Sequence, residues 1–431
     1  MEKLSAGSSQ SWLSWFWRGI LFFGFLLLIG RLFELQIIKG AYFRELSSSN
    51  RIRRVPIVAP RGRIIARGGE VLVGNREIKK AVIFDPSEGY LKTDDLSKAD
   101  SDDLITEYVR TYPLGDNLAH VSGYLGEVSQ EQVGKVDPDC PDKGPLKLGD
   151  LTGKAGLEKQ YQCNLNGIDG EELIEVDSTG KKVRVLGRKE PVAGSDFVTT
   201  IDLAMQKKAA EVMKDKLGAV IISDIDGEVL AYYSSPSYDP TDPSKSINDP
   251  NLPFFDRVSS GTFHPGSVFK PVVALGALEE GKIDDKYIFD DPGIITVNDF
   301  SYSNWYFSQY GKTEGKIDVV RAIARSTDTF FYIIGEMLGA EKVAKWADKF
   351  GLNKPTGIDL PGEVGGLIPT PTWKQEVKGE RWFLGNTYHV SIGQGDVATT
   401  PIGINTYISA IAGKGELCRP YIYSSLGSSC S

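Results

Sequence analysis

The sequence predicts an α+β protein tethered by a single N-terminal transmembrane helix, and three observations carry the prediction. An apolar run opens the chain from Trp12 to Gly30, W-L-S-W-F-W-R-G-I-L-F-F-G-F-L-L-L-I-G. Short β-rich runs, G-A-V-I-I-S-D from Gly218 and V-L-A-Y-Y from Val229, flank Asp226-Gly227, a dipeptide that favours the tight turn of a hairpin. Two further stretches, I-D-V-V-R-A-I-A-R (317–325) and T-F-F-Y-I-I-G (329–335), repeat their apolar residues at helical spacing.

The first run is about 19 residues long, enough to cross roughly 28 Å as a helix. Arg18 falls near one end, where its head reaches the interface, and Trp12, Trp15 and Trp17 suit the headgroup level. No small-residue cleavage site follows, so a retained anchor over 12–38, preceded by a short cytoplasmic tail over 1–11, is expected rather than a removed signal peptide. The charge count opposes export: Lys3 and Arg18 precede or open the span, whereas Arg31, Lys39, Arg44, Arg51, Arg53 and Arg54 follow it. Long domains translocate despite such a count.

The 431 residues, 41% hydrophobic, suffice for a sizeable core in two soluble modules beyond the anchor. A formal net charge of -8 without a long basic stripe excludes nucleic acid as the main partner. Cys140, Cys163, Cys418 and Cys430 are scattered without ligand spacing, so neither a disulfide scaffold nor a dedicated zinc site is expected. With His120, His264 and His389 the only histidines, imidazole chemistry is not expected either.

Residues 50–65, N-R-I-R-R-V-P-I-V-A-P-R-G-R-I-I, are extended and β-prone, with Pro56 and Pro60 confining them to an edge or to bends. Farther on, T-T-I-D-L-A-M-Q (199–206) opens a helix with Asp202 as its cap. Thr400-Pro401 reads as an N-cap followed by a first-turn proline, with the helix ending near Gly413 or Gly415.

The chemistry concentrates in Ser267-Val268-Phe269-Lys270, set in H-P-G-S-V-F-K-P ahead of the apolar run V-V-A-L-G-A-L. Residues three apart on a helix share a face, which places an amine beside a hydroxyl. A serine hydroxyl becomes a useful nucleophile only when a base takes its proton, and a lysine serves as that base when burial lowers its pKa. Ser-x-x-Lys alone also fits a capped helix with a solvated lysine, but the apolar residues after Lys270 point the helix into a core. The nucleophile helix is expected to pack on the 218–233 hairpin. Ser326-Thr327-Asp328 falls between the two helical stretches above and reads as a joining loop, although Ser and Asp there also fit a plain N-cap. Ser391-Ile-Gly-Gln-Gly-Asp precedes the Thr400 helix and reads as structural.

These words resemble the penicillin-binding serine enzymes, and most closely their elongation-type, monofunctional (class B) transpeptidases. The resemblance rests on G-A-V-I-I-S-D-I-D-G-E-V-L-A from Gly218, S-S-P-S-Y-D-P (234–240), P-G-S-V-F-K-P, Ser326-Thr327-Asp328 and the G-Q-G segment. Y-P-L-G (112–115), H-V-S-G-Y-L-G (120–126) and G-K-A-G-L-E-K-Q-Y (153–161) add to it. It implies a β-rich, non-catalytic pedestal of dimerisation type over 41–200 and a partial transpeptidase domain over 201–431. The family usually has Asp-Arg where this chain has Ala66-Arg67.

By the same resemblance Ser267 attacks the carbonyl between two D-alanines of a peptidoglycan stem, Lys270 is the base, Ser326 relays a proton to the leaving amine and Asp328 helps hold Lys270. Implied partners are stem peptides, β-lactams, the cytoplasmic membrane and a polytopic glycosyltransferase of the elongation machinery, with most of the chain on the extracytoplasmic side. No cofactor is implied. Some relatives bind zinc near the second motif, but D-P-G-I-I-T-V-N-D-F-S-Y-S-N-W (291–305) holds no histidine cluster, so no metal is assigned. The family's Lys-Ser/Thr-Gly strand does not occur before Ser431, and Gly311-Lys-Thr-Glu-Gly is no substitute. The sequence therefore reads as cut short within its catalytic domain and as a weak catalyst, with a non-catalytic membrane scaffold as the alternative function.

Overall fold

The computed structural model describes residues 9–85, 89–93, 104–177 and 182–431. Its contacts divide the chain into two compact units, one of Met1–Ala59, Glu77–Glu107 and Ile168–Val192, the other of Pro60–Arg76, Tyr108–Gly167 and Ala193–Ser431. The range 41–200 thus contributes to both.

In the first unit the apolar helix Ser9–Phe33 runs through a π-helical turn, Glu34–Ile38, into the helix Gly40–Arg51. Trp12–Ile38 is long and apolar enough to cross a membrane, and its side chains are not covered by protein. Beyond it, Ile52–Ile57, Gly170–Val176 and Lys182–Lys189 form an antiparallel three-stranded sheet in that order. Pro56 lies in the edge strand, opposite Glu171, where its missing N–H costs no ladder bond on the open side. Val55, Ile174 and Val176 make a small core.

The second unit carries the chemistry. Residues 60–76 and 108–167 share one hydrophobic core with the later part of the chain: Ile64, Leu118, Val121, Leu157 and Leu165 pack with Phe197, Val229, Tyr232 and Ile402. Within it the Glu158 carboxylate, fully buried, takes Arg61 Nε at 2.5 Å and Arg110 Nε at 2.7 Å. Ala66 is fully buried, and the neighbouring Arg67 guanidinium reaches Glu228 at 3.6 Å.

Gly218–Ser223 and Val229–Ser235 form the expected antiparallel hairpin, with Gly227 at φ 92° in its turn. Helices Leu203–Met213 and Pro401–Ala412 cover that hairpin. Asp202 caps the first by accepting from Ala204 N and Met205 N, each at 3.0 Å. Thr400 caps the second by accepting from Gly403 N at 3.1 Å, and Gly413 ends it.

Two sequence expectations need correction. The helix Lys270–Glu279 packs against Asp328–Leu338 and Ala340–Lys349 instead of lying on the hairpin. Val272, Val273, Ala274, Gly276 and Ala277 are buried on nearly every side of it, and a helix apolar all round must be enclosed by other helices. The cysteines are also not solitary: Cys140 pairs with Cys163 and Cys418 with Cys430. Pairing depends on the approach of chain segments in space, which spacings of 23 and 12 residues do not reveal. Asp137 sits beside the first pair, but sulfurs joined to each other offer a metal no thiolate.

Removing Glu158 leaves two buried guanidinium groups without a counter-charge. Glu158→Ala is expected to lower the unfolding free energy by about 3–5 kcal/mol. Denaturant titration followed by circular dichroism measures it, and a loss under about 1 kcal/mol would contradict the assignment of Glu158 as the node of this core.

Candidate active site

Ser267 sits where two kinds of helix meet. Gly266, at φ 59°, turns the chain into a 3-10 segment, Gly266–Phe269, and the α-helix begins at Lys270. In a 3-10 turn, side chains three apart eclipse, so Ser267 and Lys270 fall on one side. Pro271 stands in the first helical turn, where its missing N–H breaks no interior bond. Phe269 is fully buried beneath the turn, while Ser267 is exposed and the Lys270 side chain is 1% exposed. The Tyr407 hydroxyl donates to Val268 O, and Gly266 N donates to Gly393 O at 2.9 Å.

The second element is the predicted joining loop. Helix Val319–Arg325, capped by Asp318 on Arg321 N at 2.8 Å, ends at Ser326, and the next helix starts at Asp328. Ser326 adopts the left-handed conformation, φ 55° and ψ 45°. A residue with a Cβ is held there only by its surroundings, at a cost of about 1 kcal/mol or more. That bend turns both its carbonyl and its hydroxyl toward Lys270.

The result is a short chain of polar atoms. Lys270 Nζ lies 2.9 Å from Ser326 O, 2.9 Å from Ser326 Oγ and 2.6 Å from Asp328 Oδ1. Ser326 Oγ is in turn 2.9 Å from Ser267 Oγ. Among the described residues Lys270 Nζ makes no direct hydrogen bond to Ser267 Oγ, although the Lys270 backbone N–H donates to Ser267 O; the Ser326 hydroxyl stands between the two side chains. Burial pushes the Lys270 ammonium below its ordinary pKa, and the Asp328 carboxylate opposes that fall.

All four residues singled out from sequence, Ser267, Lys270, Ser326 and Asp328, are thus brought together in one unit. The Ser391-Ile-Gly-Gln-Gly segment proves to be part of their support. A Cβ on Gly393, whose φ is 69°, would stand 2.3 Å from Gly266 O and 2.7 Å from Phe269 Cβ. Tyr407 was hidden from sequence reading because its contact spans 139 residues and looks locally like an ordinary core position.

Residues 217–428 match the model of the penicillin-binding protein transpeptidase domain, and residues 101–199 that of the penicillin-binding protein dimerisation domain. The fold and the site define a modular penicillin-binding transpeptidase. The chain is 31% identical to the peptidoglycan D,D-transpeptidase MrdA of Escherichia coli over 94% of its length and 73% of that protein's. It is 30% identical to the MrdA of Acinetobacter baumannii, covering 68% of it. A Pseudomonas aeruginosa PBP2 in complex with WCK 5153 superposes with a TM-score of 0.68 at 28% identity, over 86% of this chain and 73% of that one. The Helicobacter pylori PBP2 bound to MreC shares the fold, with a TM-score of 0.74 at 24% identity over 88% of this chain and 80% of that one. This chain belongs to the penicillin-binding protein 2 (MrdA) family of class B peptidoglycan transpeptidases.

Gly393→Ala is expected to displace the Ser267 turn and slow β-lactam acylation by about 100-fold, since small misplacements of reacting atoms cost that much. Labelling kinetics with a fluorescent penicillin, on a variant shown folded by circular dichroism, measure it. Wild-type kinetics would show that the G-Q-G segment does not hold the nucleophile.

Proposed function

We propose that Ser267 is the acylated nucleophile of a membrane-anchored peptidoglycan D,D-transpeptidase, with Lys270 as its base acting through Ser326. The observation that supports this most directly is the set of acceptors around Lys270 Nζ. An ammonium has three donors, and Ser326 O, Ser326 Oγ and Asp328 Oδ1 take all of them. The Ser326 hydroxyl then points its own proton at Ser267 Oγ. A neutral amine has two donors and a lone pair. The carbonyl and the carboxylate, which only accept, keep the two donors, so the lone pair must receive the Ser326 proton and Ser326 Oγ the Ser267 proton. Deprotonating the lysine therefore reverses the hydroxyl chain and activates the nucleophile.

Acylation follows without loose ends. Ser267 Oγ bonds to the carbonyl carbon of the penultimate D-alanine as its proton passes to Ser326 Oγ, whose own proton passes to Lys270 Nζ. The carbon–nitrogen bond then breaks as Ser326 Oγ gives its proton to the leaving D-alanine amine and is reprotonated by Lys270 Nζ, and a serine ester remains. The amine of a neighbouring stem attacks that ester, delivers its surplus proton by the same route and leaves Ser267 Oγ reprotonated. A β-lactam ring opens by the first half of this sequence. Asp328 supplies the counter-charge that lets the buried ammonium exist between the steps.

The anchor and this chemistry together support a location on the extracytoplasmic face of the cytoplasmic membrane, where the stems lie, against the positive-inside count. They also support contact with a polymerising enzyme. A solved peptidoglycan synthase complex, described as coordinating polymerisation and crosslinking, has a chain that matches 99% of this one at 25% identity and a TM-score of 0.70.

A membrane-impermeant fluorescent β-lactam applied to intact spheroplasts tests the reading. The wild-type chain is expected to form an adduct at Ser267, Ser267→Ala none, and Lys270→Ala one formed at least about 100-fold more slowly. Equal labelling of Ser267→Ala would overturn the nucleophile, and labelling that appears only after lysis would place the domain in the cytoplasm.

A further inference from the structure

The Ser326 bend must be imposed from outside, because a left-handed serine does not hold itself. Both flanks of the bend lead to one buried carboxylate. Asp291, 3% exposed, ends the strand Phe289–Asp291. Its Oδ1 accepts from Gly293 N at 2.9 Å and from Thr329 Oγ1 at 2.6 Å; its Oδ2 accepts from Asn304 Nδ2 at 3.1 Å and Glu314 N at 2.9 Å. Thr329 and Asn304 are fully buried. No ion pair to Asp291 occurs among the described residues, so its charge rests on these four donors. Burial pulls its pKa upward, but the hydrogen bonds outweigh burial and hold the carboxyl below its ordinary value.

Each donor belongs to a different part of the frame. Thr329 directly follows Asp328. Asn304 opens the helix Trp305–Tyr310, whose Trp305 Nε1 donates to Arg325 O at 2.8 Å. Glu314, its side chain 3% exposed, takes Arg325 Nε at 2.8 Å, and the Arg325 guanidinium lies 5.2 Å from the ring centroids of Trp305 and Tyr306. The residue before Ser326 and the residue after Asp328 are therefore tied to the same node.

We propose that Asp291 is a positioning residue for catalysis: through Thr329 on one side and the Asn304–Glu314–Arg325 contacts on the other, it holds Ser326 and Asp328 against Lys270. The inference rests on the reading of Lys270 as the base. Hydrogen bonds to an ionised carboxylate are roughly twice as strong as neutral ones, which suits a fixed point from which a strained turn is held. Among the described residues the charged group against Lys270 Nζ is Asp328, from the helix Asp328–Leu338, and the Phe331 ring lies 5.4 Å from Nζ.

Thr329→Val removes the hydroxyl at nearly constant shape and tests the idea on the full chain. Titration of lysines labelled at Cε with carbon-13, with Lys270 assigned by its loss in Lys270→Ala, reads the site whether or not it reacts. Loosening Asp328 withdraws the charge that opposes the burial effect, so the Lys270 pKa is expected to fall further, and penicillin acylation to slow by at least about tenfold. Thr329→Ser, which restores the hydroxyl, is expected to recover most of both. Asp291→Asn, a second variant of the same shape, is expected to follow Thr329→Val. An unchanged Lys270 titration in folded Thr329→Val and Asp291→Asn would overturn the proposal. If the wild type forms no adduct, the reading of Ser267 fails, and the lysine titration still decides on Asp291.

Discussion

A lysine amine buried to 1% exposure must find a partner for each of its hydrogens, and much of the site follows from that requirement. The three acceptors come from one short turn, and two of them belong to a single residue. A serine presents its carbonyl and its hydroxyl to the same point only in an unusual backbone conformation, which Ser326 adopts. The same contacts that accommodate the buried amine connect it, through Ser326 Oγ, to the exposed Ser267 hydroxyl.

The requirement extends outward. The helix that carries Lys270 is apolar on nearly all sides, so it lies within a bundle whose members supply the counter-charge at Asp328 and the aromatic wall at Phe331. Ser267 escapes burial because the 3-10 turn at Gly266–Phe269 lifts it to the surface while Phe269 anchors the turn below. Gly393 and Tyr407 fasten that turn from outside.

Local signals made much of this legible in the chain itself. Ser267 and Lys270 stand at helical spacing before an apolar run, Asp202 and Thr400-Pro401 mark helix starts, and Asp226-Gly227 marks a turn; each speaks through its immediate neighbours. Ser326-Thr327-Asp328 was readable as a loop because helical periodicity stops on either side of it. What stayed hidden depends on contact between distant segments. The disulfides, the enclosure of the nucleophile helix by other helices, the sharing of the Glu158 core and the Asp291 node all join residues whose surroundings in sequence are ordinary. Asp291 in particular reads as one more aspartate before a Pro-Gly turn.

The claim on which the account depends is that the Ser267 proton reaches Lys270 through Ser326. The second-order rate constant for acylation by benzylpenicillin, compared between wild type and Ser326→Ala with folding verified, tests it most directly. A fall of about 100-fold or more is expected, because Lys270 remains but its path to Ser267 is removed. A rate equal to that of the wild type would contradict it and show that Lys270 takes the proton from Ser267 without an intermediary.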